Sequence, residues 1–433
     1  MAKENVRNNS LLGGVDMRRL IVFLTFLVGL ALLIFANDIV IRYAHWNALP
    51  SDPYNYVKAF EEKYPNIKVE FIQIPEAEYS QKLRSMALAG NAPDVLCLWE
   101  ADLADFARAG WIVPLDDYIR QSEELSVDDF IPAVKQLMEL QGHLYGLPWC
   151  FATEILYYNK DIFDKAGISY PNENWTWKDF EEAARKLTIV ENGKVVQYGC
   201  DALGFQGLWY SLIGTFGDKI VDEQGRFVFG KGAKEFLRWW YDLTNKYKVV
   251  ASPQITTSGV VSADLFMAGK AAMAFNGSWM TSVYKDIKDF NWDIAPIPKG
   301  VRHYSTLHTG FFAINAKSKV KDAAWKFIEF CMSEKGQELI NKAYNNPSAR
   351  ISILKKGYYR VEGPKGPRNW EAVEKTAEFA EWGYTLLPPG LTFDLVKDFN
   401  AAILGQISVD EVVERAIEKA KDILGEERVV VTK

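Results

Sequence analysis

The sequence has little of what an enzyme uses for chemistry. Only four of its 433 residues are histidines, and no two of them form an HExxH zinc-binding pair. The chain also lacks a GxSxG nucleophile turn, a GxGxxG dinucleotide-binding loop and a phosphate-binding P-loop. These absences predict a protein without a catalytic centre, a bound metal or a cofactor. The 56 acidic residues leave a glycosidase open, because any pairing among so many carboxylates is uninformative.

The sequence has few cysteines and fewer basic than acidic residues. The cysteines form no CxxC pair and have no zinc-like spacing, which predicts free, buried thiols at Cys97, Cys150, Cys200 and Cys331. The 50 basic residues against 56 acidic ones leave a net charge of −6, and there is no long basic run. This balance argues against nucleic acid as a partner.

Charge is absent from one stretch near the N-terminus. Residues 20–36, "LIVFLTFLVGLALLIFA", follow Met17-Arg18-Arg19. A basic start before an apolar run is typical of a secretory signal, here cleaved after Ala36, or of a retained membrane anchor. No cysteine lies in or just after the run, which argues against a lipoprotein anchor. We therefore assign residues 1–36 to an N-terminal extension with a signal or anchor, and expect a periplasmic or cell-surface protein.

The rest of the chain has the composition and length of a globular protein with two or three domains. Strand-like and helix-like segments alternate from residue 38, with strands predicted over 38–46, 67–74 and 94–99. Such an order predicts open α/β sheets, whose ligands bind at the carboxyl ends of the strands. Further strands are predicted over 154–163, 271–279 and 310–316, and capping residues Thr176 and Asp179 mark one helix start.

Four segments of the chain resemble a known family. They are "GNAPDVLCLWEADLADFARAGWIVPLDDYI" (90–119), "HLYGLPWCFATEILYYNKDIFDKAGI" (143–168), "GKAAMAFNGSWM" (269–280) and "HTGFFAINAKSKVKDAAWKFIEFCMSEKGQE" (308–338). In this order they are similar to the motifs of family 1 extracellular solute-binding proteins of ABC importers, which include the maltose-binding protein. The resemblance covers nearly all of residues 38–425.

The resemblance implies a two-lobed periplasmic-binding-protein clamshell of type II. Each lobe is expected to be an open α/β sheet, and hinge crossings join the lobes. We place lobe one at 38–147 and 303–346, and lobe two at 148–302 and 347–433. The ligand is expected in the cleft, which closes by a hinge motion.

Candidate ligand-binding residues lie at strand ends and at positions that match the family's motifs. A sugar presents apolar C–H faces and a rim of hydroxyls, which suit flat aromatic rings and fixed polar groups. Trp46, Asn47, Trp99 and Glu100 end two strands, and Trp279 follows the turn of "FNGSW". Further candidates are Trp149, Thr153, Phe205, Gln206, Trp209, Asn276, His308, Gly310, Arg350 and the residues Trp382, Tyr384 and Phe393 around the "LLPPGLTF" loop. Core packing is the alternative for Phe205, Gln206 and Trp209, and pairing with an acid is the alternative for Arg350. Ala152 replaces a polar residue of some relatives, which leaves the ligand class open.

The resemblance implies a substrate-binding protein that captures a carbohydrate and delivers it to an ABC permease. We expect a monomer that performs no chemistry. Three alternatives stay open: the same scaffold binding a sugar phosphate or polyol, a secreted glycoside hydrolase, and a receptor anchored through residues 20–36. Two converging basic side chains would indicate a phosphate ligand, whereas sugar release would indicate the hydrolase.

Overall fold

The computed structural model describes residues 38–253 and 264–433. The predicted signal or anchor lies outside these residues. The strands, numbered β1 to β17, are Ile39–His45, Ile67–Gln73, Val95–Trp99, Glu139–Leu140, His143–Leu144, Leu147–Pro148, Ala152–Asn159, Ile189–Glu191, Lys194–Cys200, Ile220–Val221, Phe227–Phe229, Ala271–Gly277, Trp292–Ala295, Ser305–His308, Gly310–Ile314, Ala380–Glu381 and Val429–Val431.

Helices separate most of these strands. They are Tyr56–Lys63, Tyr79–Ala89, Glu100–Arg108, Asp116–Gln121, Pro132–Met138, Lys160–Ala166, Trp177–Leu187, Gln206–Thr215, Lys231–Tyr241, Asp264–Met267, Thr281–Tyr284, Lys321–Met332, Glu334–Tyr344, Ile351–Leu354, Glu371–Phe379, Pro389–Ile403 and Val409–Leu424. No helix in 38–253 or 264–433 is both long and apolar enough to cross a bilayer.

The first lobe is built on a five-stranded sheet of order β2-β1-β3-β15-β6. Strands β1, β2 and β3 run parallel, and β15 runs antiparallel to β3. The apolar run 95–98 is buried on both faces, as a strand covered by helices on both sides requires. The parallel strands therefore deliver Trp46 and Trp99 to the same edge of the sheet.

The second lobe is built on a sheet of order β16-β14-β7-β12-β9-β8, to which β13 adds by pairing with β7. Its central strand β7 is buried along its whole length. A smaller sheet joins β10, β11 and the C-terminal β17. Large aromatic side chains, among them Trp209 and Trp240, fill the core beneath the helices of this lobe.

Three crossings connect the lobes. The first is residues 149–151, between β6 and β7, and the second is Thr309, between β14 and β15. The predicted start of lobe one at residue 303 is wrong, because β14 pairs with β7 and so belongs to the second sheet. The third crossing follows residue 350 rather than 346, since Arg350 still bridges to Phe130 and Ile131 N donates to Ala349 O.

Several local predictions are confirmed. The predicted strands 38–46, 67–74, 94–99 and 310–316 form within one or two residues of their expected ends, but 154–163 turns helical at Lys160 because Asn159 caps a helix there. The capping box is present at the helix Trp177–Leu187: the Thr176 hydroxyl accepts from Asp179 N, and the Asp179 carboxylate accepts from Thr176 N. The four cysteines are free and buried, as predicted.

We expect Thr176→Ala to lower the free energy of unfolding by about 1 kcal/mol, because the substitution removes an N-cap acceptor. Urea denaturation measures the change. The control is Ser85→Ala inside the helix Tyr79–Ala89, where the hydroxyl only bonds back to Gln81 O and the expected change is within about 0.5 kcal/mol. Equal losses in the two variants would contradict the capping role.

Candidate functional site

The first lobe contributes a wall of tryptophans at the carboxyl edge of its sheet. The rings of Trp46 and Trp99 stack with centroids 3.6 Å apart, and Trp149 meets Trp46 edge-on at 6.2 Å. Gly310 pairs opposite Trp99, and a Cβ at position 310 would collide with the rings of Trp149 and Trp46. Glycine is therefore required here so that the rings can pack against the backbone of the crossing.

Glu100 places a buried carboxylate next to this wall. It starts the helix Glu100–Arg108, and its Oε1 accepts a hydrogen bond of 2.5 Å from Thr309 N at the second crossing. Burial raises the pKa of Glu100 to about 7, although His308 and the Thr309 N–H act in the opposite direction. The charge of this carboxylate therefore responds to pH near neutrality.

The second lobe contributes a cluster of rings around His308. Trp279 lies in the 3₁₀ turn Ser278–Met280 that ends strand β12, and it is half-buried. Its ring meets Phe205 edge-on at 5.1 Å and His308 edge-on at 5.3 Å. Tyr384 lies 5.8 Å from His308, and Phe205 lies 5.9 Å from it. The turn thus holds the large ring of Trp279 at the margin of an apolar cluster and beside a polar group.

A buried carboxylate, Glu154, lies behind His308. Its Oε1 is 2.6 Å from His308 Nε2. Its Oε2 accepts from Ser211 Oγ at 2.8 Å, from Thr306 N at 3.0 Å and from Ser305 Oγ at 3.2 Å. The side chain is fully buried, so these donors replace the water that a carboxylate would otherwise need.

The charges around His308 are mostly negative. Burial lowers the pKa of His308, but the carboxylates of Glu154, Glu100 and Glu76 outweigh burial, so the net shift raises it. Glu76 lies in the short turn Glu76–Glu78 after β2, in the first lobe. Carboxylates of both lobes therefore act electrostatically on this imidazole.

Other predicted residues carry buried polar atoms without a hydrogen-bond partner among the described residues. They are Trp149 Nε1, Thr153 Oγ1, Gln206 Oε1 and Asn276 Nδ2. Thr153 and Asn276 lie in neighbouring strands, and the Asn276 Oδ1 atom is occupied by Gly277 N. Donors and an acceptor of this kind suit ligand hydroxyl groups.

The structure does not bring Trp209 or Phe393 to these rings. Trp209 is 1% exposed and packs between Phe236 and Phe399, because its position on the helix Gln206–Thr215 faces the core. Phe393 is 51% exposed on the helix Pro389–Ile403 and has no ring contact with the cluster. The core packing of Trp209 argues against its prediction as a ligand contact, whereas the role of Phe393 stays a prediction.

Arg350 is also taken up elsewhere. Its Nε donates to Asp129 at 2.8 Å, and its other nitrogens donate to the carbonyl oxygens of Met332 and Glu124. The guanidinium is 10% exposed and ties the third crossing to the first lobe. Arg350 is therefore a structural anchor and not the cleft cation that we predicted.

Two remaining candidates lie at the edges of the site. Trp382 donates through Nε1 to Ala133 O at 2.6 Å, which joins the two lobes. Asn47 donates through its backbone N–H to His45 Nδ1 at 2.8 Å. Burial lowers the pKa of His45 to about 3, so this ring is a neutral acceptor.

Two residues of the site were missed in the sequence. Glu154 is the only acid in the apolar stretch "CFATEILYY", and a lone charge in a strand with no polar alternation was a usable signal. Glu76 carries no such signal, because it lies in an ordinary acidic segment. Only the approach of the two lobes places it near His308.

The raised pKa of Glu100 predicts a pH-dependent stability. The ordinary pKa of a glutamate is 4.5, and that of Glu100 in the folded protein is about 7. Between these two pH values Glu100 keeps a proton in the folded protein that it releases in the unfolded chain. The free energy of unfolding therefore falls as the pH rises through this window. Glu100→Gln keeps the acceptor for Thr309 N without the charge. We expect the variant to gain about 2 to 3 kcal/mol over wild type between pH 4.5 and pH 8.

Urea denaturation of both proteins at the two pH values measures this gain. The exposed Glu414→Gln on the helix Val409–Leu424 is the control for loss of an acid. A stability difference between Glu100→Gln and wild type that is the same at both pH values would contradict the buried-charge interpretation.

Comparisons with known proteins agree with this architecture. A family model described as bacterial extracellular solute-binding protein matches residues 48–338. The mannitol-binding protein of Pseudomonas aeruginosa is 28% identical over 393 residues, which cover 83% of this chain and 87% of that protein. The maltotriose-binding protein of Pyrococcus abyssi is 25% identical over 299 residues, which cover 66% of this chain and 61% of that protein.

An ABC substrate-binding protein from Listeria monocytogenes, solved in complex with cycloalternan, is similar in structure with a TM-score of 0.80 and 25% sequence identity. The match covers 90% of this chain and 99% of that one. The prediction of a two-lobed clamshell is confirmed. With two thirds of its length matched by the family model, the chain belongs to the bacterial extracellular solute-binding proteins.

Proposed function

We propose that this protein captures a carbohydrate between its lobes and delivers it to the permease of an ABC importer, as a monomer and without chemistry. The observation that carries the proposal is the arrangement of aromatic rings on both lobes around buried polar groups. Trp46 and Trp99 belong to one lobe, and Trp279 and Phe205 belong to the other. Rings cover the apolar faces of a sugar, while His308 and the amide and hydroxyl groups meet its hydroxyls.

The charge of the site favours an uncharged ligand. The charged groups that act on His308 are three carboxylates, and the one arginine proposed for the cleft is bound to Asp129. A phosphate needs converging cations, so the sugar phosphate alternative is disfavoured. The polyol alternative is supported by the mannitol-binding relative, and an oligosaccharide by the maltotriose-binding relative.

The hydrolase alternative finds little support in the geometry. Glu154 is enclosed by four hydrogen-bond partners and is fully buried, so it is not available to activate water. Sugar release during incubation with the protein would overturn the proposal of a binding function without chemistry.

The test is isothermal calorimetry with mannitol, glucose, maltose, maltotriose and mannobiose, with glucose 6-phosphate as the charged comparison. We expect a neutral carbohydrate to bind. Trp279→Ala should then raise its Kd ten- to a hundredfold, because a buried ring contributes roughly 1.5–3 kcal/mol. The control is Trp111→Ala, a half-buried ring of the first lobe that packs against Phe106, with wild-type Kd expected.

Tight binding of the phosphate with no response to neutral sugars would contradict the proposed ligand class. Equal losses of affinity in the two tryptophan variants would point to a general structural effect instead. Melting temperatures of the unliganded variants separate that effect from loss of contact.

We further propose that residues 20–36 direct export and are removed after Ala36. The pattern of a basic start, an apolar run and a small final residue supports cleavage. Intact mass of the exported protein is expected to correspond to a chain that begins at Asn37. A mass that includes residues 17–36 would support the anchored receptor instead.

A further inference from the structure

We propose that Glu154 is a positioning residue that keeps His308 protonated and oriented, so that the Nδ1–H of His308 donates a hydrogen bond to an oxygen of the bound carbohydrate. This inference rests on the proposed function and assigns roles within the same cleft. In this inference His308 touches the ligand, and Glu154 acts on the ligand only through His308.

Glu154 is held too firmly to act on a ligand itself. One carboxylate oxygen lies within hydrogen-bond distance of His308 Nε2. The other accepts hydrogen bonds from Ser211, Thr306 and Ser305. A buried carboxylate without a charged partner is strongly unfavourable, so the cation that offsets this charge must be close. Among the described residues, only the His308 imidazole forms an ion pair with Glu154.

The orientation of His308 follows from that pairing. Nε2 pairs with the Glu154 carboxylate, and the imidazole ring contacts the rings of Trp279, Phe205 and Tyr384. In the described part of the chain no group forms a hydrogen bond with Nδ1. The ring therefore has one nitrogen left, on an imidazole that contacts Trp279 and Phe205, two of the rings proposed to cover the sugar.

The surrounding charges keep the proton on the ring. Glu154 and Glu100 approach His308 from the β7 strand and from the helix Glu100–Arg108, Glu76 approaches from the turn after β2, and Tyr384 packs as a neutral ring. Their net effect raises the pKa of His308 above the ordinary value of about 6.5. An imidazolium donor forms a stronger hydrogen bond than a neutral nitrogen does.

The expected result is a Kd that is lowest below the pKa of His308 and rises about fivefold above it, when the charge-assisted bond becomes a neutral one. Glu154→Gln should shift the midpoint of His308 to lower pH, and the rise in Kd should move with it. Ser211→Ala is the matched control, because it removes a hydrogen bond to Glu154 while keeping the carboxylate charge.

Two measurements test the inference. Imidazole NMR of the unliganded protein follows the titration of His308 in wild type and in both variants, with His308→Gln used to assign the signal. Calorimetry between pH 5.5 and 9 then gives Kd for mannitol and maltotriose. Glu100→Gln distinguishes the titration of Glu100 from that of His308. The pH dependence of Kd should persist in Glu100→Gln and disappear in His308→Gln.

A His308 midpoint that is unchanged in Glu154→Gln overturns the inference, whichever sugars bind. A Kd that does not vary with pH, or a pH dependence that survives in His308→Gln, also overturns it while leaving the proposed function intact. If no carbohydrate binds although the midpoint shifts as expected, the proposed function fails, and with it the donation of Nδ1–H to a sugar.

Discussion

The arrangement of the site depends on how one residue, Thr309, is held between the lobes. Its backbone N–H donates to the Glu100 carboxylate, and its hydroxyl donates to Cys150 O in the first crossing. The two crossings are further joined by Trp149 N, which donates to Gly310 O. Because the residue before Thr309 is His308, this anchoring also fixes the position of the imidazole.

The aromatic rings follow from the same constraint. Gly310 lies opposite Trp99 and leaves no space for a side chain, so Trp46 and Trp149 pack directly against the crossing. On the other lobe, Trp279 is carried by a turn that continues strand β12. Both walls are therefore attached to strands that end near the crossings between the lobes.

Burial of charge beside the hinge costs stability, and the chain offsets that cost locally. Glu154 has four hydrogen-bond partners, whereas Glu100 has a pKa near neutrality because burial outweighs its contacts. Buried atoms at Trp149, Thr153 and Asn276 have no partner among the described residues. Polar groups that the fold leaves unpaired are suited to a ligand that brings hydroxyl groups of its own.

The sequence by itself determined the local elements and the family. A run rich in β-branched residues formed β1, alternating apolar residues formed β2, the Thr176 hydroxyl capped its helix, and motifs in order identified the two-lobed fold. Trp46, Trp99 and Trp279 could be found because a tryptophan at the end of a strand is visible in one short segment. In the described structure Trp46 follows β1, Trp99 ends β3 and Trp279 lies in the turn after β12.

Only the tertiary structure decided which polar groups meet. Glu154 and His308 are 154 residues apart, and Arg350 and Asp129 are 221 apart. The sequence shows that a charge exists but not whether a distant partner will neutralise it. Trp209 lies in the core, and β14 pairs within the second sheet. Both placements also depend on contacts with distant parts of the chain. The periodicity of apolar side chains and the local composition determine helices and strands over a few neighbouring residues. Burial and charge pairing instead depend on chain segments that only folding brings together.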